Sequence, residues 1–113
     1  MQKATLDPHY KHVGSGQFDY PERFFTLSKE QQETLVAWCQ QFEPIKKINI
    51  SHTSYGLKHV FQDSAGGFSV SNGAFKGAMI EAGFLVDDPD KVNWCFNISK
   101  KSVMTVWDKA YKR

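Results

Sequence analysis

The sequence predicts a single α+β domain, mainly helical. Three observations carry this. Ser28, Thr53 or Ser54, Ser71, and Ser99 or Ser102 each stand just ahead of apolar residues at helical spacing. There a side-chain oxygen can cap the free N–H groups of a first turn. Short segments around Ile48, Leu85 and Cys95 gather apolar residues over too few positions for a helix. Finally, 113 residues with 41% hydrophobic and 14% aromatic content suffice for one modest core.

Residues 1–27 contain Pro8, Gly14, Gly16 and Pro21, which argues against a long regular element. Tyr10, Phe18, Tyr20, Phe24 and Phe25 make this arm too aromatic for ordinary disorder. The arm is expected to lie across the domain or across a second copy, with most of these rings in ordinary core packing. Ser28 and Gln31 have capping-box spacing and open the first helix, whose buried face is Leu35, Trp38, Cys39 and Phe42. Pro44 ends it, because the residue before a proline avoids helical geometry. Ile48 and Ile50 alternate with a polar residue in Lys46–Ile50, which predicts a short strand.

The next helix carries Tyr55, Leu57, Val60 and Phe61 as its apolar residues, and Asp63–Gly67 is a loop. From Ser71, the residues Ala74, Phe75, Ala78, Met79 and Ala82 form a narrow apolar stripe. The other face holds Asn72, Gly73, Lys76, Gly77, Ile80 and Glu81. Each interior glycine costs roughly 1 kcal/mol of helix propensity relative to alanine. Bare backbone at Gly73 and Gly77 therefore implies a close approach, either by a partner or by another part of the same chain. Gly83 stops this helix. Phe84–Val86 and Asn93–Ile98 read as two strands of a hairpin around the turn residues 87–91, Asp-Asp-Pro-Asp-Lys. A final helix presents Val103, Val106, Trp107, Ala110 and Tyr111 as its apolar face. The organisation is thus an arm over 1–27, a core over 28–98, and a C-terminal helix over 99–113 on the same domain.

The net charge of +2 does not by itself identify a nucleic-acid binder. The distribution is uneven: Ser99–Arg113 holds five cations against Asp108, and Phe84–Ile98 holds three aspartates against Lys91. Cys39 and Cys95 each stand beside a tryptophan in an apolar pattern, as buried reduced thiols do. The start of the chain has no apolar signal core, and no run approaches membrane-spanning length. The expectation is a cytoplasmic protein with no membrane contact.

The order helix, strand, helix, helix, strand, strand over residues 28–98 resembles the winged helix-turn-helix family, with the hairpin as its wing. A narrower likeness lies in Ser54-Tyr55-Gly56-Leu57-Lys58-His59 followed by Val70-Ser71-Asn72-Gly73-Ala74-Phe75. These runs are similar to those of short phage and plasmid proteins. The resemblance implies a mobile-element protein acting in regulation, replication or counter-defence, and it transfers no catalytic or ligand residues.

In helix-turn-helix proteins the second helix of the pair turns its outer face to the major groove of double-stranded DNA. Here that face offers Asn72 for adenine and Lys76 for guanine or phosphate. Lys58 and His59 on the preceding helix would contact the backbone, and Lys101 and Lys109 on the last helix could neutralise phosphates, although lysines also simply solvate a terminal helix. Arginine, the commonest guanine reader, occurs only at Arg23 and Arg113. The acidic tip, Asp87, Asp88 and Asp90, would repel phosphate. The first expectation is a non-enzymatic DNA-binding regulator or accessory factor. The alternative is a small protein-binding inhibitor or adaptor acting on a nucleic-acid-handling defence complex. It would use Asp87, Asp88, Asp90 and Ile80. If the arm does not fold back on its own domain, Ile80, Phe68 and the N-terminal aromatics expose a patch that favours a homodimer. No metal or cofactor is expected: His9 and His12, His52 and His59, and the two cysteines form no four-ligand pattern. No nucleophile is paired with a recognisable base.

Overall fold

Four helices begin where a serine or threonine oxygen is available to their first turn. The computed structural model describes residues 2–7 and 17–112. In it α1 is Lys29–Cys39, α2 Ser54–Asp63, α3 Asn72–Glu81 and α4 Lys100–Tyr111. Ser28, Thr53, Ser71 and Ser99 cap them, each side chain accepting from the backbone N–H three residues on. Gln31 returns the bond to Ser28 N–H at 3.1 Å and completes the capping box. α3 stops at Gly83, whose φ is +95°. There Gly83 N–H donates to Ile80 O at 2.9 Å and Phe84 N–H to Met79 O at 3.1 Å, which satisfies two terminal carbonyls. α1 ends before Pro44, and Pro44 opens a strand instead of closing the helix.

That strand, β1, is Pro44–Asn49, and it pairs antiparallel with β2, Phe96–Ile98. Pro44 faces Ile98 and Asn49 faces Phe96, with an irregularity between them because β1 is longer than its partner. Val86 bridges Phe96 on the other side, and Gln2 bridges Val86 in turn. Gln2 and Val86 exchange both backbone hydrogen bonds at 2.8 Å, so the start of the chain forms the outer edge of these extended segments. The arrangement is α+β, about half helical, around a small antiparallel sheet.

The expected hairpin is reduced to the Val86–Phe96 bridge. Ser54 explains this. Its N–H donates to Trp94 O at 2.7 Å, and its hydroxyl accepts from Trp94 N–H at 3.0 Å. The groups that Trp94 would offer to a longer ladder are spent on the start of α2. Ser54 is fully buried. Ser54→Ala removes the acceptor and strands the Trp94 N–H, which should cost about 1–3 kcal/mol. Urea unfolding should give a lower midpoint with an unchanged slope; an unchanged midpoint would remove Ser54 from the determinants of this corner.

The core forms where α1, α2 and α3 meet. Trp38 lies edge-on to Phe42, Phe61 and Phe75 at 5.3, 5.3 and 6.1 Å. Leu35, Cys39, Leu57, Val60, Met79, Val86, Phe96 and Ile98 complete it. The described residues of the arm pack on this domain. Short 3-10 helices occupy Gln17–Asp19 and Pro21–Thr26, and Phe24 is a core residue. Phe18, Tyr20 and Phe25 remain exposed, contrary to the expectation that most of the arm's rings are buried. Tyr10, His9 and His12 lie outside the described residues. No helix among the described residues is long and apolar enough to cross a membrane.

Candidate functional site

α3 is buried on every side from Asn72 to Met79. The expectation of an outward face at Asn72, Gly73, Lys76 and Gly77 is therefore corrected. The two glycines allow the backbone of residues 18–21 to lie directly on the helix. A Cβ at Gly73 would meet Tyr20 O and Phe18 O, and one at Gly77 would meet Pro21 O and the Phe24 side chain. The close approach implied by the glycine spacing is made by the chain's own arm.

Asn72 and Lys76 hold that arm. The Asn72 amide nitrogen donates to Asp19 Oδ1, Val92 O and Asn93 Oδ1 at 3.0–3.2 Å. Lys76 is 3% exposed. Its ammonium donates to Asp19 O at 2.6 Å and Val92 O at 2.8 Å, and it sits 4.4 Å from the centre of the Trp94 ring. Burial pushes its pKa down to about 8, while the charges of Asp19 and Glu22 act in the opposite direction. These two side chains tie the arm, α3 and the 92–94 segment together, and the donors read as base or phosphate contacts bond within the chain.

The acidic turn is also engaged internally. Asp87 Oδ1 accepts from Cys95 N–H at 3.0 Å, and Asp87 Oδ2 pairs with Lys91 at 3.4 Å. Burial raises the Asp87 pKa, but hydrogen bonds from the Cys95 and Asp88 backbone and from Lys91 outweigh it, so its carboxyl titrates below the ordinary value. Asp88 Oδ1 accepts from Asp90 N–H at 3.0 Å and stabilises the turn. Of the three, only Asp90 is an exposed side chain. Ile80, half-buried, packs against the core.

Lys58 and His59 lie on a different surface, beside rings that the sequence places among the apolar residues of their helices. Tyr55, Trp107 and Tyr111 are 53%, 42% and 42% exposed. On α2, Tyr55 stands edge-on to His59 at 4.7 Å, and the Lys58 ammonium lies 5.3 Å from the centre of the Tyr55 ring. Across to α4, the His52 ring is 5.9 Å from Trp107, and Trp107 is 5.3 Å from Tyr111. Tyr111 O–H donates to Asp63 Oδ2 at 2.7 Å, fixing the far end of the row. Burial holds the His52 pKa below its ordinary value, so the ring is neutral at pH 7. The result is an exposed row of rings along two helices, with Met104 one turn before Trp107 and 56% exposed.

A signal for this row was present in the sequence. On α4, Val103, Val106 and Ala110 already supply one buried stripe. Trp107, Tyr111 and Met104 fall at about 40°, 80° and 100° round the axis from Val103, widening the apolar arc past what one neighbour covers. Lys101 and Lys109 lie off this row, exposed on the same helix, with Lys109 3.4 Å from Gln41 Oε1. Among the described residues, no group of three or more His, Cys, Asp or Glu could hold a metal ion. No protein-family model, curated protein or solved structure matches the chain.

Proposed function

We propose that this chain is a non-enzymatic, protein-binding adaptor or inhibitor built on a winged helix-turn-helix scaffold, and that it engages its partner through the aromatic row of α2 and α4. One observation carries the reading. The helix face that contacts DNA in such scaffolds is core here, while Tyr55, Trp107 and Tyr111 stand in solvent. Tyrosine, tryptophan and methionine are enriched at protein interfaces, and the first two dominate hot spots. Asp63 at the end of the row, and Asp108 paired with Lys112, place carboxylates where a nucleic acid would bring phosphates. The scaffold reading is supported by the element order and by β2 lying between β1 and Val86. A phage or plasmid setting is supported by the likeness of the 54–59 run, whose Tyr55, Lys58 and His59 lie on this face.

The test compares the tagged wild type with a Tyr55→Ala/Trp107→Ala double variant in host cells. Hot-spot aromatics each contribute on the order of 2 kcal/mol or more, so a protein retained by the wild type should fall at least about tenfold in the variant. Equal retention by both forms would overturn the assignment of this face. Nuclease-sensitive nucleic acid in place of protein would return the chain to the DNA-binding class.

A further inference from the structure

A second surface shares no residue with the aromatic row. Between the Pro21–Thr26 segment, α1 and the end of α3 lies an open groove of about 300 Å³. Phe24, part of the core, with Val36 and Ala37 supplies its apolar lining, and Gln32 and Gln40 a neutral polar one. Glu33 from α1 and Glu81 from α3 line the same groove, and no cation does. Both carboxylates are on exposed residues, and the two ion pairs among the described residues, Lys91–Asp87 and Lys112–Asp108, involve neither.

Glu81 is the last residue of α3. A helix C-terminus carries partial negative charge and favours cations, so an acidic side chain there works against the helix that bears it. Two carboxylates outside those ion pairs and the negative end of a helix thus border one groove with an apolar part. A positive group seated there relieves all three. The same field repels nucleic-acid phosphates and anionic lipid headgroups. The volume is at the lower end for a small-molecule site and suits one or two side chains.

We infer that this groove docks a cationic segment of a protein partner. One apolar side chain rests on Phe24 and Val36, and flanking arginines reach Glu33 and Glu81. Arginine fits best, because its planar fork pairs a carboxylate through two hydrogen bonds. The inference is independent of the α2–α4 assignment, and its test separates the two.

The probe is a fluorescein-labelled nonapeptide with a central leucine flanked by arginines, followed by fluorescence polarisation against the full chain. Wild type should bind it saturably and more weakly as salt rises. Glu33→Gln/Glu81→Gln should weaken binding at least about tenfold, because both rim charges are lost while the fold is kept. Ala37→Arg, which places a cation in the groove, should abolish binding. The peptide with alanine in place of leucine should bind at least about fivefold less well, since the apolar lining is then left uncovered. Trp107→Ala should bind as wild type does. No saturable binding by wild type, equal binding by the double glutamine variant, equal binding of the two peptides, or loss of binding in Trp107→Ala would each overturn the proposal.

Discussion

Gly77→Ala is expected to destabilise the protein by about 2–4 kcal/mol, although the same change would stabilise an isolated helix. Alanine gains up to about 1 kcal/mol of helix propensity at an unhindered site. Here its methyl group would fall on the backbone carbonyl of Pro21 and within 2.5 Å of the Phe24 Cβ. Neither is the far end of a flexible side chain, so the Pro21–Thr26 segment must shift. Phe24 is 4% exposed, and taking a phenylalanine out of a core costs roughly 3–5 kcal/mol at the limit. Gly73→Ala should act in the same direction through Tyr20 O and Phe18 O. Urea unfolding measures the loss, and amide exchange should show the first effect at residues 21–27. A gain in stability would mean that the arm does not lie on α3 in solution.

Lys76→Met should cost about 1–3 kcal/mol at pH 7 and change the pH dependence of stability. Methionine keeps the length of the side chain but supplies no donor. Val92 O still accepts from Asn72, whereas Asp19 O loses the ammonium. The cost is moderated because the variant no longer buries a charge. For the pH dependence, the folded pKa of Lys76 is about 8, below the ordinary lysine value of about 10.4 in an unfolded chain. Between those values the unfolded state holds more protons, so this group's contribution to stability increases as pH rises. The stability of wild type relative to Lys76→Met should therefore grow between about pH 8 and pH 10, with other lysines and tyrosines cancelling in the comparison. Paired urea titrations across that range measure it. A difference that is flat or shrinks would show that the two carbonyls and the Trp94 ring hold the ammonium more firmly than burial disfavours it.

The elements legible in the sequence were those with local signals. Ser28 and Ser71 cap helices as expected, Thr53 and Ser99 are the caps where the sequence also offered Ser54 and Ser102, and Gly83 ends α3. Leu35, Cys39, Leu57, Val60, Phe61, Phe75 and Met79 are in the core their periodicity placed them in. What local pattern could not settle was which segment would cover which. Gly73 and Gly77 announced a close approach without saying whose backbone would make it, because the answer lies more than fifty residues upstream at Asp19 and Tyr20. Asn72 and Lys76 have the residue types of a DNA-reading face, and the same donors serve equally well to fasten an arm. The hairpin is shorter than its apolar pattern predicts because nothing near Trp94 in the sequence reveals its pairing with Ser54. Tyr55, Trp107 and Tyr111 belong to the apolar sets of their helices by residue type and spacing but stand exposed, and for α4 the width of the apolar arc is the better guide.

The arm on α3 also has a consequence for biosynthesis. Asp19 and Lys76 are separated by 57 positions. At about 5–20 residues per second of synthesis, the arm waits roughly 3–11 s for its helix to be made. Throughout that interval Phe18, Tyr20, Phe24 and Phe25 form an unburied aromatic run on the nascent chain, a segment of the kind that chaperones hold or that neighbouring chains capture. Slow translation between residues 27 and 72 would lengthen this exposure, so yield in the cell should depend on codon usage in a stretch that the arm itself does not contain.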